Sequence, residues 1–278
     1  MTPAFTQQAI VAVGQIMRLA AREIIMPAFG RLGPEAIRCK SGPLDLVTDA
    51  DEAAERFITT RLRDAFPAAR VVGEEAVAAD PGVLAVLDAP GLVFVIDPID
   101  GTANYAAGVP LFGVMVAAVQ DGVTVGGAIL DPVTDRLALA VRGGGAWEDD
   151  GHGHRCGLRA ASAAAPPAMT GMIAWRYLPE PWRDAAPGLI RTMAGAWDYR
   201  CAAHAYLTLV RGVSHLALFG RTQPWDHLAG TLIHAEAGGY AACLDATPYG
   251  ARAAGPGLLC APDRVGWSAV RGLLEPSL

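Results

Sequence analysis

Val93-Phe94-Val95-Ile96-Asp97-Pro98-Ile99-Asp100-Gly101-Thr102-Ala103-Asn104-Tyr105 is the stretch on which the fold turns. Its first four residues are β-branched or aromatic, which reads as a buried strand. Pro98 has no N–H for a ladder and fixes its own φ, so the strand is predicted to stop there. Gly101 can adopt a backbone shape closed to other residues. The turn would lift Asp97 and Asp100 off the end of a rigid strand, where both can face one point. Carboxylates that close repel unless a cation sits between them. With oxygen donors and no Cys or His beside them, the pair suits a hard cation such as Mg²⁺. A hydrogen-bonded Asp-Gly turn fits the same residues, and this stretch alone leaves both readings open.

A chain of 278 residues can hold one large domain or two intimately packed halves, and its 52% hydrophobic content argues against disorder. A net charge of -6 argues against a dedicated nucleic-acid binder. Cys39, Cys156, Cys201, Cys243 and Cys260 are scattered and form no C-x-x-C, which suits reduced thiols. No charged-then-apolar leader precedes the first helix, and no uninterrupted apolar run reaches ~18 residues. The expectation is a soluble, cytoplasmic protein without a membrane partner.

Upstream of the central stretch, Thr2-Pro3 reads as an N-cap and first-turn proline. Ile10, Val13, Met17, Ala20 and Ile24 then recur at helical spacing until Pro27. Arg38 to Val47 is polar and turn-rich around Gly42-Pro43. A second amphipathic helix is predicted from about Asp51 to Phe66. Asp49 and Asp51 lie at its start, where capping is the simpler role on spacing alone. A short strand, Arg70 to Gly73, leads into Glu74-Glu75, which by themselves read as a solvated turn.

Downstream the pattern is β. Strands over Phe112 to Val119 and Val123 to Leu130 flank Asp121-Gly122, a hairpin signal, and Arg136 to Val141 follows. Gly143-Gly144-Gly145 lacks the order of a phosphate loop, and Gly151 to His154 reads as a flexible turn. The low-complexity run Ala160 to Pro167 marks a joint. It divides one compact catalytic unit into an N-terminal half, 1–160, with the main acidic motifs, and a C-terminal half, 161–278, with Asp226. The second half is predicted to carry strands at Met169–Trp175, Ser214–Phe219, Tyr240–Leu244 and Gly257–Ala261. Its helices fall near Asp184–Ala196, Ala202–Gly212, Pro224–Ala237 and Asp263–Leu274. Alternating helices and strand meanders point to a layered α/β (α+β) fold.

Glu74-Glu75, Asp97/Asp100 and Asp226 each stand at an element end. A site that gathers them must lie in the cleft between the halves, where small-molecule sites commonly sit. Five such side chains would hold two or more Mg²⁺ ions. Paired ions can bind a phosphate, lower the pKa of a bound water and neutralise a leaving alkoxide. Hydrolysis of a phosphate monoester needs those effects and no covalent nucleophile. No Ser-His-Asp or Cys-His arrangement is evident, and His227 beside Asp226 reads as a capping or exposed residue.

Gly73-Glu74-Glu75, Asp97-Pro98-Ile99-Asp100-Gly101-Thr102 and Trp225-Asp226-His227-Leu228-Ala229-Gly230 resemble the signature of the inositol monophosphatase family. So do Lys40 and the run Asp45-Leu46-Val47-Thr48-Asp49-Ala50-Asp51. The resemblance spans nearly the whole chain in order. It implies a layered α-β-α-β-α sandwich like that of sugar bisphosphatases, a homodimer, and Mg²⁺-dependent hydrolysis of a small phosphorylated metabolite. Two or three Mg²⁺ per active site are implied. Carried over position by position, Glu74, Asp97 and the Ile99 carbonyl would hold the first ion, and Asp97, Asp100 and Asp226 the second. Glu75 would act just behind these ligands. Asp51 and Thr102 would orient or activate the attacking water, and the Gly101 and Thr102 amides would cradle the phosphate.

The substrate side departs from the inositol-selective members. They carry a substrate-binding glutamate seven residues before the Trp-Asp aspartate, where this chain has Phe219. Trp175, Arg176 and Tyr177 replace small residues after the mid-chain strand, and His204 replaces another near the pocket. Sugar, polyol and amino-alcohol phosphates are the implied substrates. Histidinol phosphate and nucleotide 3′-phosphates are the alternatives. A non-enzymatic, RNA-related regulator is the competing class. Its mark would be salt-sensitive RNA binding that survives loss of the metal ligands, and the acidic balance gives it no support.

Overall fold

The computed structural model describes residues 5–42, 45–252 and 255–275. The Thr2-Pro3 cap and the Pro43 turn fall outside them. Helix α1 (Gln7–Ala20) is capped by Thr6, whose hydroxyl accepts from the Ala9 amide. It passes through a wider turn (Ala21–Ile25) into α2 (Met26–Ala28), which contains Pro27 and ends the helix. The polar segment beyond forms a hairpin, β1 (Ile37–Gly42) with β2 (Asp45–Thr48). Helix α3 (Asp49–Ala65) begins two residues earlier than periodicity suggests. Thr48 and Asp51 form a reciprocal cap, and that fixes the start. After β3 (Arg70–Gly73), Glu74-Glu75 do not make a solvated turn; they open helix α4 (Glu74–Ala79).

The central strand β4 (Leu92–Asp100) does not stop at Pro98, contrary to the sequence expectation. Asp97 pairs with Met115 and Asp100 with Gly113, so β4 carries one extra residue between the two pairings. Such a bulge places Pro98 where no ladder donor is needed and re-aims the flanking side chains. The chain continues through α5 (Thr102–Ala106), β5 (Gly113–Gln120), β6 (Val123–Asp131), β7 (Arg136–Val141), β8 (Ala146–Asp149) and β9 (Arg155–Gly157). The second half runs β10 (Thr170–Ala174), α6 (Trp182–Thr192), β11 (Gly195–Trp197), α7 (Ala202–Val210) and β12 (Leu216–Phe219). It closes with α8 (Pro224–Glu236), β13 (Tyr240–Cys243), β14 (Leu258–Ala261) and α9 (Arg264–Leu273).

Strands β3 to β9 form one seven-stranded sheet in sequence order, and β11-β10-β12-β14-β13 form a five-stranded sheet. Side chains alternate faces along a strand, and β4 shows what each face meets. Phe94 and Ile96 enter a core with Ile10, Val13, Met17, Ile58 and Leu62 of α1 and α3. Val93 and Val95 enter another with Tyr206, Leu207, Leu228, Leu232 and Ile233 of α7 and α8. That second core also takes Ala217, Phe219 and Cys260 from the five-stranded sheet. The opposite face of that sheet packs Ile173, Leu218 and Leu259 against Leu189, Trp267 and Val270 of α6 and α9. The layers are therefore α-β-α-β-α. Helices α7 and α8 are clamped between the sheets, and α8 approaches β6 closely. A Cβ on Gly127 would lie 2.7 Å from the Ala229 carbonyl oxygen. Among the described residues no helix is long and apolar enough to cross a membrane.

Candidate active site

The bulge in β4 and the start of α8 converge at the mouth of the middle layer. One ligand atom from each of Asp97, Asp100 and Asp226 lies within 4.8 Å of the others. Asp97 is 2% exposed, and its Oδ1 has no hydrogen-bond partner among the described residues. Burial holds the Asp97 and Asp226 carboxyls well above the usual carboxylate range, and repulsion from Glu74 and Asp100 adds to both; Asp226 raises Asp97 further, whereas a hydrogen bond with Asp97 and the charge of Arg221 partly oppose the rise at Asp226. Burial also raises Asp100, but there hydrogen-bond donors oppose it. The Cys201 Sγ lies 2.8 Å from Asp100 Oδ2, and the Ala203 amide at the start of α7 donates to the same oxygen at 2.6 Å. Asp226 sits in the first turn of α8 behind Pro224, where the helix's free amides favour negative charge.

Helix α4 brings the second pair of acids. Lys40 Nζ stands 2.7 Å from both Glu74 Oε1 and Glu75 Oε1. Burial opposes the Lys40 charge, but the two carboxylates more than offset it and hold its pKa above the ordinary lysine value. Glu75 is pushed up to about 7 by burial and by Glu74. Glu55, on α3, accepts from the amides of Glu75 and Ala76 at 2.8 and 2.9 Å and so caps α4. Asp51 is fully buried. Its Oδ2 takes the Thr48 amide at 2.8 Å, and burial raises its pKa to about 7 against that hydrogen bonding. Gly101, at φ 86, occupies left-handed space and turns the chain into α5. Thr102 Oγ1 then lies 3.2 Å from Asp51 Oδ1 and 3.0 Å from the Ile99 carbonyl.

A cleft of ≈ 500 Å³ gathers Glu74, Asp97, Ile99, Asp100, Gly101, Thr102, Asp226 and Phe219. Glu75 and Asp51 stand behind its wall. Trp175, Arg176 and His204 do not line it. The tight turn Trp175–Tyr177 packs Trp175 against the outer core of the five-stranded sheet, with the Arg176 guanidinium 5.7 Å from the indole centre. Tyr177 faces the cleft instead. His204 points its Nε2 at the Phe112 carbonyl, 3.2 Å away. Cys201, Glu55 and Arg221 escape a reading of the sequence. Cys201 and Glu55 reach their partners only through contacts 101 and 20 residues apart. Arg221 lines the cleft but belongs to no motif.

The sequence profile of the inositol monophosphatase family matches residues 6–269. The chain is 33% identical to an inositol-1-monophosphatase of Mycobacterium leprae over 250 residues, 88% of this chain and 83% of that protein. It is 30% identical to a histidinol-phosphatase of Mycobacterium tuberculosis, covering 79% and 86%. Among solved structures, inositol monophosphatase II of Staphylococcus aureus superposes with a TM-score of 0.79 at 25% identity, covering 98% and 97%. An IMPase of Thermotoga maritima gives 0.81 at 21% identity, covering 97% of each chain.

Proposed function

The chain belongs to the inositol monophosphatase family and is a phosphoric monoester hydrolase, and from that premise we propose a Mg²⁺-dependent attack of water on a small phosphate monoester. The convergence of Asp97, Asp100 and Asp226 around the unpartnered Oδ1 of Asp97 carries this reading. An oxygen-only cluster with a buried, unpaired carboxylate oxygen is what a hard divalent cation completes. Glu74, Asp97 and the Ile99 carbonyl would hold one ion, and Asp97, Asp100 and Asp226 a second, with two or three per site. Bound there, the ions supply positive charge to the phosphate and leaving oxygen and make a water more acidic.

The protein's own groups do the positioning. The Thr102 hydroxyl has a single hydrogen to share between Asp51 and Ile99, so its lone pairs are free to accept from a water. Asp51, with its pKa near 7, is suited to take up a proton at working pH. Lys40, itself anchored by Glu75, holds Glu74 in place, and Gly101 and Thr102 line the floor where the phosphate would sit. Residues 1–160 and 161–278 act as two halves of one unit, each supplying carboxylates. The five free cysteines suit a reducing cytoplasm. A homodimer is the assembly that the family resemblance supports.

Phe219 argues against inositol selectivity. A phenyl ring accepts no strong hydrogen bond, and an unpaired hydroxyl costs about 1–3 kcal/mol. Phosphate release from inositol 1-phosphate, histidinol phosphate, sugar phosphates and nucleotide 3′-phosphates, with Mg²⁺ and with excess EDTA, tests both parts. Full activity in EDTA would refute the metal mechanism. If inositol 1-phosphate led by tenfold or more, the inference from Phe219 would be wrong.

A further inference from the structure

The segment between the end of β12 and the start of α8 forms one wall of the cleft, and buried side chains hold its backbone. The Phe219 ring stacks on Tyr206, with centres 5.2 Å apart, and lies 4.6 Å from the His227 ring. The His227 Nε2 is 2.9 Å from the Arg221 carbonyl, and its Nδ1 is 3.1 Å from the Tyr206 hydroxyl. With Nε2–H donating to that carbonyl, Nδ1 is left to accept from the tyrosine. Tyr249 donates from its hydroxyl to the carbonyls of Thr222 and Gln223, each at 3.2 Å. Gly220 fits directly against the backbone of Tyr177, where a Cβ would meet the Tyr177 carbonyl carbon at 2.2 Å.

On this rigid backbone Arg221 is exposed, and its guanidinium carbon stands 4.4 Å from the centre of the Tyr177 ring. Both residues line the cleft that holds Asp226. Among the described residues the guanidinium makes no ion pair and no hydrogen bond. A guanidinium stacked on an aromatic face keeps its N–H edge free, and that edge matches a carboxylate or phosphate with two parallel hydrogen bonds. Arg200 also lines the cleft, at a φ of 52. Asp198 is the carboxylate on its side of the rim, and it accepts from the Arg200 amide at 2.8 Å. Lys40, the cleft's other cation, is already engaged by Glu74 and Glu75. The free positive charge therefore stands on the wall of the cleft, near enough to act on Asp226 but not paired with any carboxylate of the cluster that would hold metal ions.

We propose that Arg221, stacked on Tyr177, seats a second oxyanion of the substrate, so that the preferred substrates are phosphate monoesters bearing a further carboxylate or phosphate. This rests on the phosphatase reading above and narrows its substrate class. Arg176 does not share this role, because the turn at Trp175–Tyr177 sends it onto Trp175 and out of the cleft lining.

Matched pairs test it. With Mg²⁺, kcat/KM is measured for fructose 1,6-bisphosphate against fructose 1-phosphate, and for 2-phosphoglycerate against glycerol 2-phosphate. Histidinol phosphate supplies a cationic comparison. At least one doubly anionic compound should lead its partner by about tenfold or more, chiefly through a lower KM. Arg221→Gln should bring that ratio to within about threefold of unity, and Arg221→Lys should keep part of it. Preference in the first pair alone identifies a phosphate as the second anion, and in the second pair alone a carboxylate. Equal rates within both pairs, a preference that Arg221→Gln leaves intact, or histidinol phosphate ranking first would overturn the assignment. Hydrolysis of none of these compounds nor of inositol 1-phosphate would overturn the phosphatase reading as well, so the two failures are distinguishable.

Discussion

Asp97→Asn should abolish turnover and at the same time stabilise the metal-free protein. The carboxylate is buried, its Oδ1 lacks a partner, and the ligand atoms of Asp97, Asp100 and Asp226 fall within 4.8 Å of one another. At that separation two unit charges repel by about 3–4 kcal/mol at an effective dielectric of 20. The cluster escapes part of this by holding on to protons, as the raised Asp97 and Asp226 pKa values show. The relief on neutralising Asp97 at pH 8 should then be about 1–3 kcal/mol. For a chain of 278 residues the unfolding entropy is about 0.6 kcal/mol/K, so Tm without metal should rise by about 2–5 °C. In the wild type, Mg²⁺ at a hundred times its Kd adds about 2.7 kcal/mol, or about 5 °C. The variant should gain little from Mg²⁺ and keep less than about a tenth of the wild-type kcat, a loss of at least ~1.4 kcal/mol. Scanning calorimetry with and without Mg²⁺, alongside phosphate release, reads all three quantities. A variant that melts lower than the metal-free wild type, still shifts with Mg²⁺ and retains turnover would refute the bridging role.

Thr102→Ala should lower kcat far more than it changes KM, because its hydroxyl faces Asp51 and does not cap a helix; a normal kcat with a lower Tm would contradict this. Ca²⁺ should inhibit in competition with Mg²⁺, since its larger, looser oxygen shell spoils in-line alignment, and equal rates with either ion would exclude that account. Burial lowers His234 to about 4 from 6.5, so an unfolded chain binds its proton first, and the stability this imidazole supports is complete above pH 6.5 and lost as pH falls toward 4. The shift corresponds to about 3 kcal/mol, so the stability gap between wild type and His234→Gln should shrink by that order from pH 6.5 to 4; parallel profiles would refute it. Gly127→Ala should cost about 1–3 kcal/mol and weaken Mg²⁺ binding, because its methyl meets the Ala229 backbone on the helix that carries Asp226; unchanged denaturant midpoint and Mg²⁺ titration would count against the close packing.

The readable parts of the chain were those where side-chain period and backbone preference agree. Val93 to Ile96, the α1 stripe and the Asp121-Gly122 hairpin announce themselves because each residue's local preference matches its place in the layers. Pro98 misled, since a proline ends a strand by its own chemistry, yet a one-residue bulge lets β4 pass through it to Asp100. Glu74-Glu75 misled in the same way. Adjacent acids look solvated until Lys40 from a hairpin and Glu55 from α3 arrive to satisfy them. Strands β9 and β11, three residues each, are too short to show a period, and β1 with β2 is too polar to stand out from a turn-rich segment. The orientation of Trp175, Arg176 and Tyr177 depends on a single tight turn, which no composition specifies.

One short segment couples the two tasks of the site. Phe219 ends the central strand of the five-stranded sheet, and Asp226 follows seven residues later at the start of the helix clamped between the sheets. Between them lies the loop that presents Arg221. His227 touches all three features at once: it sits beside Phe219, binds the Arg221 carbonyl and follows Asp226 in sequence. The carboxylate proposed to help hold a cation and the wall proposed to select the substrate are therefore fixed by one buried imidazole. A glutamate in place of Phe219 would have to displace that imidazole or stand charged against Tyr206 in a packed core. On the proposed reading, substrate selectivity would consequently be a property of the whole turn from Phe219 to His227 and not of a single exchangeable side chain.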